Sequence, residues 1–244
     1  MSEALETILE KIREKFVVSF DPLDVDGKTL EVLTIQNMHE HLDSMLSAHA
    51  IKNPLKDLPL WAKIWPGSFV LGRLLRKYEP NGKTLLELGG GCAILSLIAA
   101  QYGFASILTT DINKDALLFA KANVLHNHLE NSISVRALDL KAPMPSHARL
   151  PSYDIIAASE ILYLDELHRP LVKFLAGHLK PSGLALFCTD HARHKPRFAK
   201  LAQKSFQLQE GHIGVKAHNE EGEEERRLYD ILIVRPKESG HTSL

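Results

Sequence analysis

The chain of 244 residues is 45% hydrophobic and 24% charged, enough apolar side chain to bury one main core and still carry an N-terminal elaboration. Its 29 lysines and arginines nearly cancel 30 aspartates and glutamates, which excludes the overall basic excess that draws a protein onto nucleic-acid phosphates. The two cysteines, Cys92 and Cys188, form no disulfide framework or zinc ribbon by spacing. No apolar stretch approaches the roughly 18 residues that span a bilayer and no signal-peptide core follows Met1, so a soluble protein in a reducing, cytoplasmic setting is expected.

Residues 1–15 have a charged helical pattern. Two extended runs, 16–20 and 29–33, are joined through Asp26-Gly27, a dipeptide suited to a positive-φ turn, and so predict a hairpin. Residues 38–51 return to helical spacing until Pro54 and Pro59 interrupt it. The first sixty residues are therefore expected to form an extension of helix, hairpin and helix.

From residue 68 the pattern alternates. Helix 68–77, strand 84–88, helix 92–102, strand 106–111 and helix 114–126 are followed by strands 132–137 and 154–159, helix 166–179, strand 184–189 and helix 195–204. Such alternation predicts an α/β, doubly wound, mostly parallel, Rossmann-like sheet. Strand-like runs at 205–211 and 228–235 predict a closing antiparallel hairpin, for seven strands in all, with 220–227 read as a solvated loop. The main domain is expected over 61–237, with 238–244 as a tail.

Thr84-Leu85-Leu86-Glu87-Leu88 leads directly into Gly89-Gly90-Gly91, and a helix follows. Glycines there let the backbone turn sharply and approach a ligand closely, and the helix N-terminus offers amide donors. A tight strand-to-helix turn also uses glycine for packing alone. Asp111, about twenty residues on at the end of the second core strand, suits the hydroxyls of a ribose, with Asn113 beside it able to cap the next helix. Ile94 stands where a dinucleotide fingerprint has a third glycine or alanine. Glu87, two residues before the loop, is poorly suited to a diphosphate and well suited to an amino group. S-adenosylmethionine, with an amino group, a sulfonium and no phosphate, fits this set better than NAD.

These residues resemble the first two motifs of seven-β-strand methyltransferases. Pro59-Leu-Trp-Ala-Lys-Ile-Trp-Pro-Gly67 and Ser159-Glu-Ile-Leu-Tyr163 are similar, more narrowly, to the protein lysine methyltransferases of that fold. The resemblance implies S-adenosylmethionine as cofactor and a protein presenting a lysine as substrate. It also implies Glu160 and Tyr163 as the acceptor-side acid and aromatic, and Ser159 and Trp65 beside the cofactor. Asp139, in Leu138-Asp139-Leu140, matches the acid that contacts the adenine amino group. Gly90 and Ala93 depart from the usual cysteine or serine and glycine.

Each assignment has a plainer counterpart. Glu160 can cap a helix beginning near Asp165, Tyr163 can be core, and Asp139 can be a loop acid. Trp61 and Trp65, four apart, share a face if their segment is helical, and can cover adenine or simply pack the extension; packing suits Trp61 and cofactor contact suits Trp65. His191 and His194 earn no metal or catalytic role among 13 histidines, and no metal is expected. Two functional alternatives remain: a small-molecule amine or heterocycle methyltransferase, and a non-catalytic cofactor-binding domain. Nucleic-acid methylation is disfavoured because no Asn/Asp-Pro-Pro-Tyr/Phe run follows the fourth core strand.

Overall fold

The computed structural model describes residues 2–49, 51–52, 58–142, 149–193, 196–218 and 224–237. The expected tail 238–244 and His194 lie outside them. The N-terminal elements are α1 (Glu3–Arg13), the hairpin β1 (Val18–Val25) and β2 (Lys28–Ile35), and α2 (Met38–Ser47). Both hairpin-turn residues, Asp26 and Gly27, have positive φ, 48° and 81°, as a two-residue turn between twisted strands demands.

The core continues with α3 (Pro66–Leu75), β3 (Thr84–Leu88), α4 (Ile94–Ala100), β4 (Ser106–Asp111), α5 (Lys114–His126), β5 (Ile133–Ala137) and β6 (Tyr153–Ser159). It closes with α6 (His168–His178), β7 (Leu179–Asp190), α7 (Pro196–Ala202), β8 (Phe206–His218) and β9 (Glu224–Pro236). The sheet runs β5-β4-β3-β6-β7-β9-β8. Neighbours from β5 to β7 pair in parallel, and β9 and β8 pair antiparallel. The expected seven-stranded, doubly wound architecture is the observed one.

Alternate residues of each strand supply the two faces. Leu85 and Ile155 join α1, the hairpin, α3, α4 and α5 in one core, while Leu86 and Ile156 join α6 and α7 in the other. The N-terminal extension is seated on the first face. Leu5, Leu9 and Ile12 are buried there with Phe119 of α5, and Lys15 pairs with Asp115 at 2.7 Å. Fully buried Asn123 accepts from the Leu33 amide at 2.7 Å and donates to the Cys92 carbonyl at 2.9 Å, so one side chain ties the hairpin to the turn after β3.

Several boundaries differ from expectation. The helix expected from 92 starts at Ile94, because Ala93 takes a left-handed φ of 66°. The helix expected at 166 is a 3-10 turn, Asp165–Leu167, before α6 begins at His168. β8 runs to His218 and β9 starts at Glu224, so part of the expected loop 220–227 is strand. Among the described residues no helix is long and apolar enough to cross a membrane.

Candidate cofactor and acceptor site

The chain leaves β3 toward β4 on one side and, after β5, returns to β6 on the other. Strand order reverses at β3, and in open α/β sheets ligands bind outside the carboxyl ends of the strands at that switch point. The glycine turn, Asp111, Asp139 and Ser159-Glu160 follow or end β3, β4, β5 and β6. The fold thus brings the expected residues of four strands to one edge.

The glycine turn is packed tightly from three sides. Gly89 and Gly91 have φ of 64° and 53°, a region that side chains disfavour. A Cβ on Gly89 would stand 2.8 Å from Ile161 Cγ2, one on Gly90 2.7 Å from Thr109 Cγ2, and one on Gly91 2.6 Å from the Trp61 carbonyl oxygen. The space at Gly90 explains why neither cysteine nor serine stands there. Asp111 accepts from the amides of Gly91 and Asn113, each at 2.9 Å, and Asn113 caps α5. Asp111 therefore has no capping task. Burial raises its carboxyl above the ordinary range despite those amides, and each oxygen keeps a lone pair for a further donor. Asp139 follows β5, the strand paired with β4, and accepts from the Lys141 amide at 2.8 Å.

Glu87 takes a different position from a loop-facing acid. It is 3% exposed, lies beneath Gly90, and accepts from the hydroxyls of Ser96 at 2.5 Å and Thr109 at 2.9 Å. Ser96 and Thr109 also bond each other. Burial pushes the carboxyl up from 4.5 to about 7, against the lowering by those hydroxyls. Between these values the folded protein keeps a proton that the unfolded chain has released, so stability is full below 4.5 and falls as pH rises toward and past 7. The loss is up to about 3 kcal/mol. Glu87→Gln keeps an acceptor and removes the titration. It is expected to melt above the wild type at about pH 8, the two converging in acid below the ordinary carboxylate range; parallel melting curves at every pH would refute this.

At the carboxyl end of β6, Glu160 adopts a left-handed φ of 57°, an uncommon backbone state for a non-glycine residue and one that clusters at functional sites. Its amide donates to the Cys188 carbonyl at 2.8 Å. His168, fully buried in α6, donates from Nε2 to the Leu162 carbonyl at 2.7 Å and pins the turn that follows. The Glu160 carboxylate is 6% exposed. Its Oε1 accepts from the Asp190 amide at 3.0 Å, and its Oε2 pairs with Arg193 Nη2 at 3.1 Å. It caps no helix. Burial raises its carboxyl above the ordinary range, against the pull of Arg193.

Arg193, which the sequence reading did not single out, is the hub of this end of the site. Its guanidinium lies 4.8 Å from the ring centroid of Trp65, and Lys63 approaches the same ring at 4.9 Å. Segment 60–65 is not one helix: a 3-10 turn, Leu60–Ala62, gives way to extended backbone at Lys63 and Trp65. The two tryptophans consequently do not share a face. Trp61 packs edge-on against Phe16 and Phe119 at 5.9 and 5.0 Å, whereas Trp65 donates to the Leu60 carbonyl at 2.9 Å and meets the two cations. The half-buried Tyr163 phenol is raised first by burial, with the charges of Arg193, Glu160 and Asp111 acting on it as well.

Polar atoms without a partner concentrate here. Among the described residues, Ser159 Oγ, Thr189 Oγ1 and Arg193 Nε are buried without a hydrogen bond. Such atoms are costly unless a ligand or water meets them. With the glycine cradle and two acids on the other side, the set fits an adenosine-bearing, amino-bearing ligand. Just outside, His191 and His212 each place Nδ1 2.7 Å from one Asp230 oxygen; both histidines are exposed.

A family model described as lysine methyltransferase matches residues 49–205. The chain is 38% identical over 81 residues to an electron transfer flavoprotein beta subunit lysine methyltransferase homolog of Caenorhabditis elegans, covering 32% of this chain and 33% of that protein. It is 29% identical over 164 residues to a protein N-lysine methyltransferase of Danio rerio, covering 64% and 73%. The match spans only 33% of the first of these relatives and 42% of a ribosomal protein L11 methyltransferase of Lactobacillus johnsonii, to which the chain is 28% identical over 152 residues. Among solved structures, a ribosomal protein L11 methylase of Lactobacillus delbrueckii subsp. bulgaricus superposes with a TM-score of 0.54 at 23% identity, covering 72% of this chain and 81% of that one, a likeness of fold.

Proposed function

The chain belongs to the lysine methyltransferase family, and from that premise we propose that it transfers a methyl group from S-adenosylmethionine to the ε-amine of a lysine in a protein substrate. The observation that carries this reading is Glu160, a buried carboxylate at the end of β6 already paired with a cation, Arg193, over the ring of Trp65. A site that holds a guanidinium between an acid and an indole has the charge and shape to hold an ammonium.

Gly89 and Gly91 would admit the cofactor to the backbone, Asp111 would take the ribose hydroxyls, Asp139 the adenine amino group, and Ser159 the edge nearest the acceptor. When bound, S-adenosylmethionine supplies an electrophilic methyl and a positive sulfonium. A lysine of ordinary pKa near 10.4 is neutral only about one part in a thousand near pH 7.4, a cost of about 4 kcal/mol. Water exclusion around Tyr163, Ile161 and Leu162 lowers that cost by disfavouring the charged amine. Glu160 orients the amine and balances the positive charge that grows on its nitrogen, displacing Arg193 toward the solvent. Tyr163 lines the path and offers its hydroxyl. Since positioning dominates such a transfer, the rigid seat of Glu160 matters more than proton abstraction.

Residues 61–237 carry the chemistry in this reading, and the first sixty support it through Asn123 and Trp61. The two buried, free cysteines suit the cytoplasm. The test incubates purified protein with methyl-labelled S-adenosylmethionine and a proteome extract, before and after small molecules are removed. Label on protein, recovered as methyl-lysine after acid hydrolysis, is expected in both; label confined to small molecules would sink the protein-substrate reading.

A further inference from the structure

Beside the acceptor end lies a second concavity that the chemistry above does not use. It is an open cavity of about 320 Å³ between α3 and the edge strand β8. Phe69 and Val70 line one wall and Ile213 and Val215 the other. Ile213 and Val215 alternate along β8 and so turn to the same face. Arg73 and Lys77, both exposed, stand along its helical side, and Lys216 borders it on the strand. Among the described residues, three basic side chains and no acid line it. Asp26, the acid whose field includes Arg73, is already bonded by Arg76 and by the Tyr102 hydroxyl.

The cavity adjoins the acceptor site. Pro66 lines it, and the next residue, Gly67, sits so close to β6 that a Cβ there would be 2.5 Å from Ser159 Oγ and 3.6 Å from Glu160 Oε1. From Pro66 to Lys77 a helix rises about 16 Å, which an extended peptide covers in about five residues.

We propose that this groove is the docking surface for the substrate protein, and that it takes a segment alternating apolar and acidic residues about three to six positions from the lysine to be methylated. Apolar side chains fill the floor, and carboxylates meet Arg73 and Lys77. The proposal rests on the methyl-transfer reading for its lysine, and the groove's charge adds the selection. A peptide without those acids reaches Glu160 with nothing to hold it.

The probes are two fluorescein-labelled peptides of equal length with one central lysine, flanked on both sides by alternating leucine and glutamate in one and leucine and arginine in the other. Polarisation is read with the full chain and S-adenosylhomocysteine. The glutamate peptide is expected to bind at least about tenfold more tightly, with the difference shrinking in high salt. The double variant R73E/K77E, its fold and cofactor affinity checked by melting and calorimetry, is expected to lose that preference and favour the arginine peptide. Equal binding of the two peptides by the wild type, or an unchanged preference in R73E/K77E, overturns the proposal. A groove already covered, by a second copy or by the chain's own acidic run at 220–225, also abolishes discrimination and overturns it. Turnover is scored separately. A tightly bound glutamate peptide that is never methylated refutes lysine methylation and leaves the groove standing, whereas methylation of both peptides with equal KM refutes the groove alone.

Discussion

Glu160→Gln is expected to lower the methyl-transfer rate by on the order of 100-fold or more while leaving S-adenosylhomocysteine affinity and the melting temperature close to wild type. The amide is nearly isosteric and keeps an acceptor for the Asp190 N–H, 3.0 Å from Oε1, so the seat survives. What is lost is the charge facing Arg193 and, in turn, the incoming lysine. The pH profile separates this role from a structural one. Burial raises the Glu160 carboxyl, so on acidification it takes up its proton, and the wild type loses rate, at a higher pH than an ordinary carboxylate would allow. The variant has no such group and should lack that limb. A kcat/KM profile with the same acidic limb in both proteins would place the titrating group elsewhere and remove Glu160 from the chemistry.

The order of elements was legible because it rests on periodicity and punctuation that tertiary contacts reinforce. Leu85 and Leu86 face opposite cores, and an apolar run closed by three glycines has few other ways to fold. Boundaries were less legible where turn-like residues sit inside a strand. Lys180-Pro-Ser-Gly183 reads as a loop, yet it lies within β7, where the pairing with β6 slips from Tyr153↔Leu179 to Ile155↔Leu184; its proline and glycine mark an irregularity in the ladder. The charged stretch before Leu228 reads as solvated, and Arg226 and Arg227 pair as strand with Lys216 and Val215. Before Tyr229, where its pairing with β7 stops, β9 has one open side, and charge on an open side guards against pairing with another chain and does not signal a loop.

The site divides in the same way. The positions of Gly89, Gly91 and Asp111 were legible because they follow from backbone direction: a turn after one strand, an acid at the end of the next. Arg193 was not. It is one basic residue among 29, and its meaning comes from β7 ending beside β6 and from Trp65 arriving on extended backbone. Asn123 was equally hidden, since no local pattern distinguishes a buried asparagine that bonds two distant carbonyl and amide groups from a solvated one. Glu87 shows the reverse failure. Its type and spacing suggested a group facing the ligand, but the side chain alternation of β3 directs it inward to Ser96 and Thr109.

Gly91→Ala is expected to cost S-adenosylhomocysteine affinity at least about 100-fold and to destabilise the fold by about 1–3 kcal/mol. Two constraints meet at this residue. Its φ of 53° is already one that side chains disfavour, and the added carbon would lie 2.6 Å from the Trp61 carbonyl oxygen. That oxygen belongs to backbone and cannot swing aside. Moving it drags the Trp61 ring from its seat against Phe119, 5.0 Å away. Moving Gly91 instead breaks its amide bond to Asp111 at 2.9 Å, so either relaxation disturbs the turn to which the ribose is assigned in the proposed function. Asp111→Asn isolates the second consequence. It keeps an acceptor for the loop amide and gives up the charge, so affinity should fall with little change in melting. Calorimetry and thermal melting on both variants decide between a loop that binds and one that only packs. If Gly91→Ala melts lower but binds as the wild type does, the glycine turn serves packing alone, and tighter binding of NAD than of S-adenosylhomocysteine would overturn the cofactor assignment as a whole.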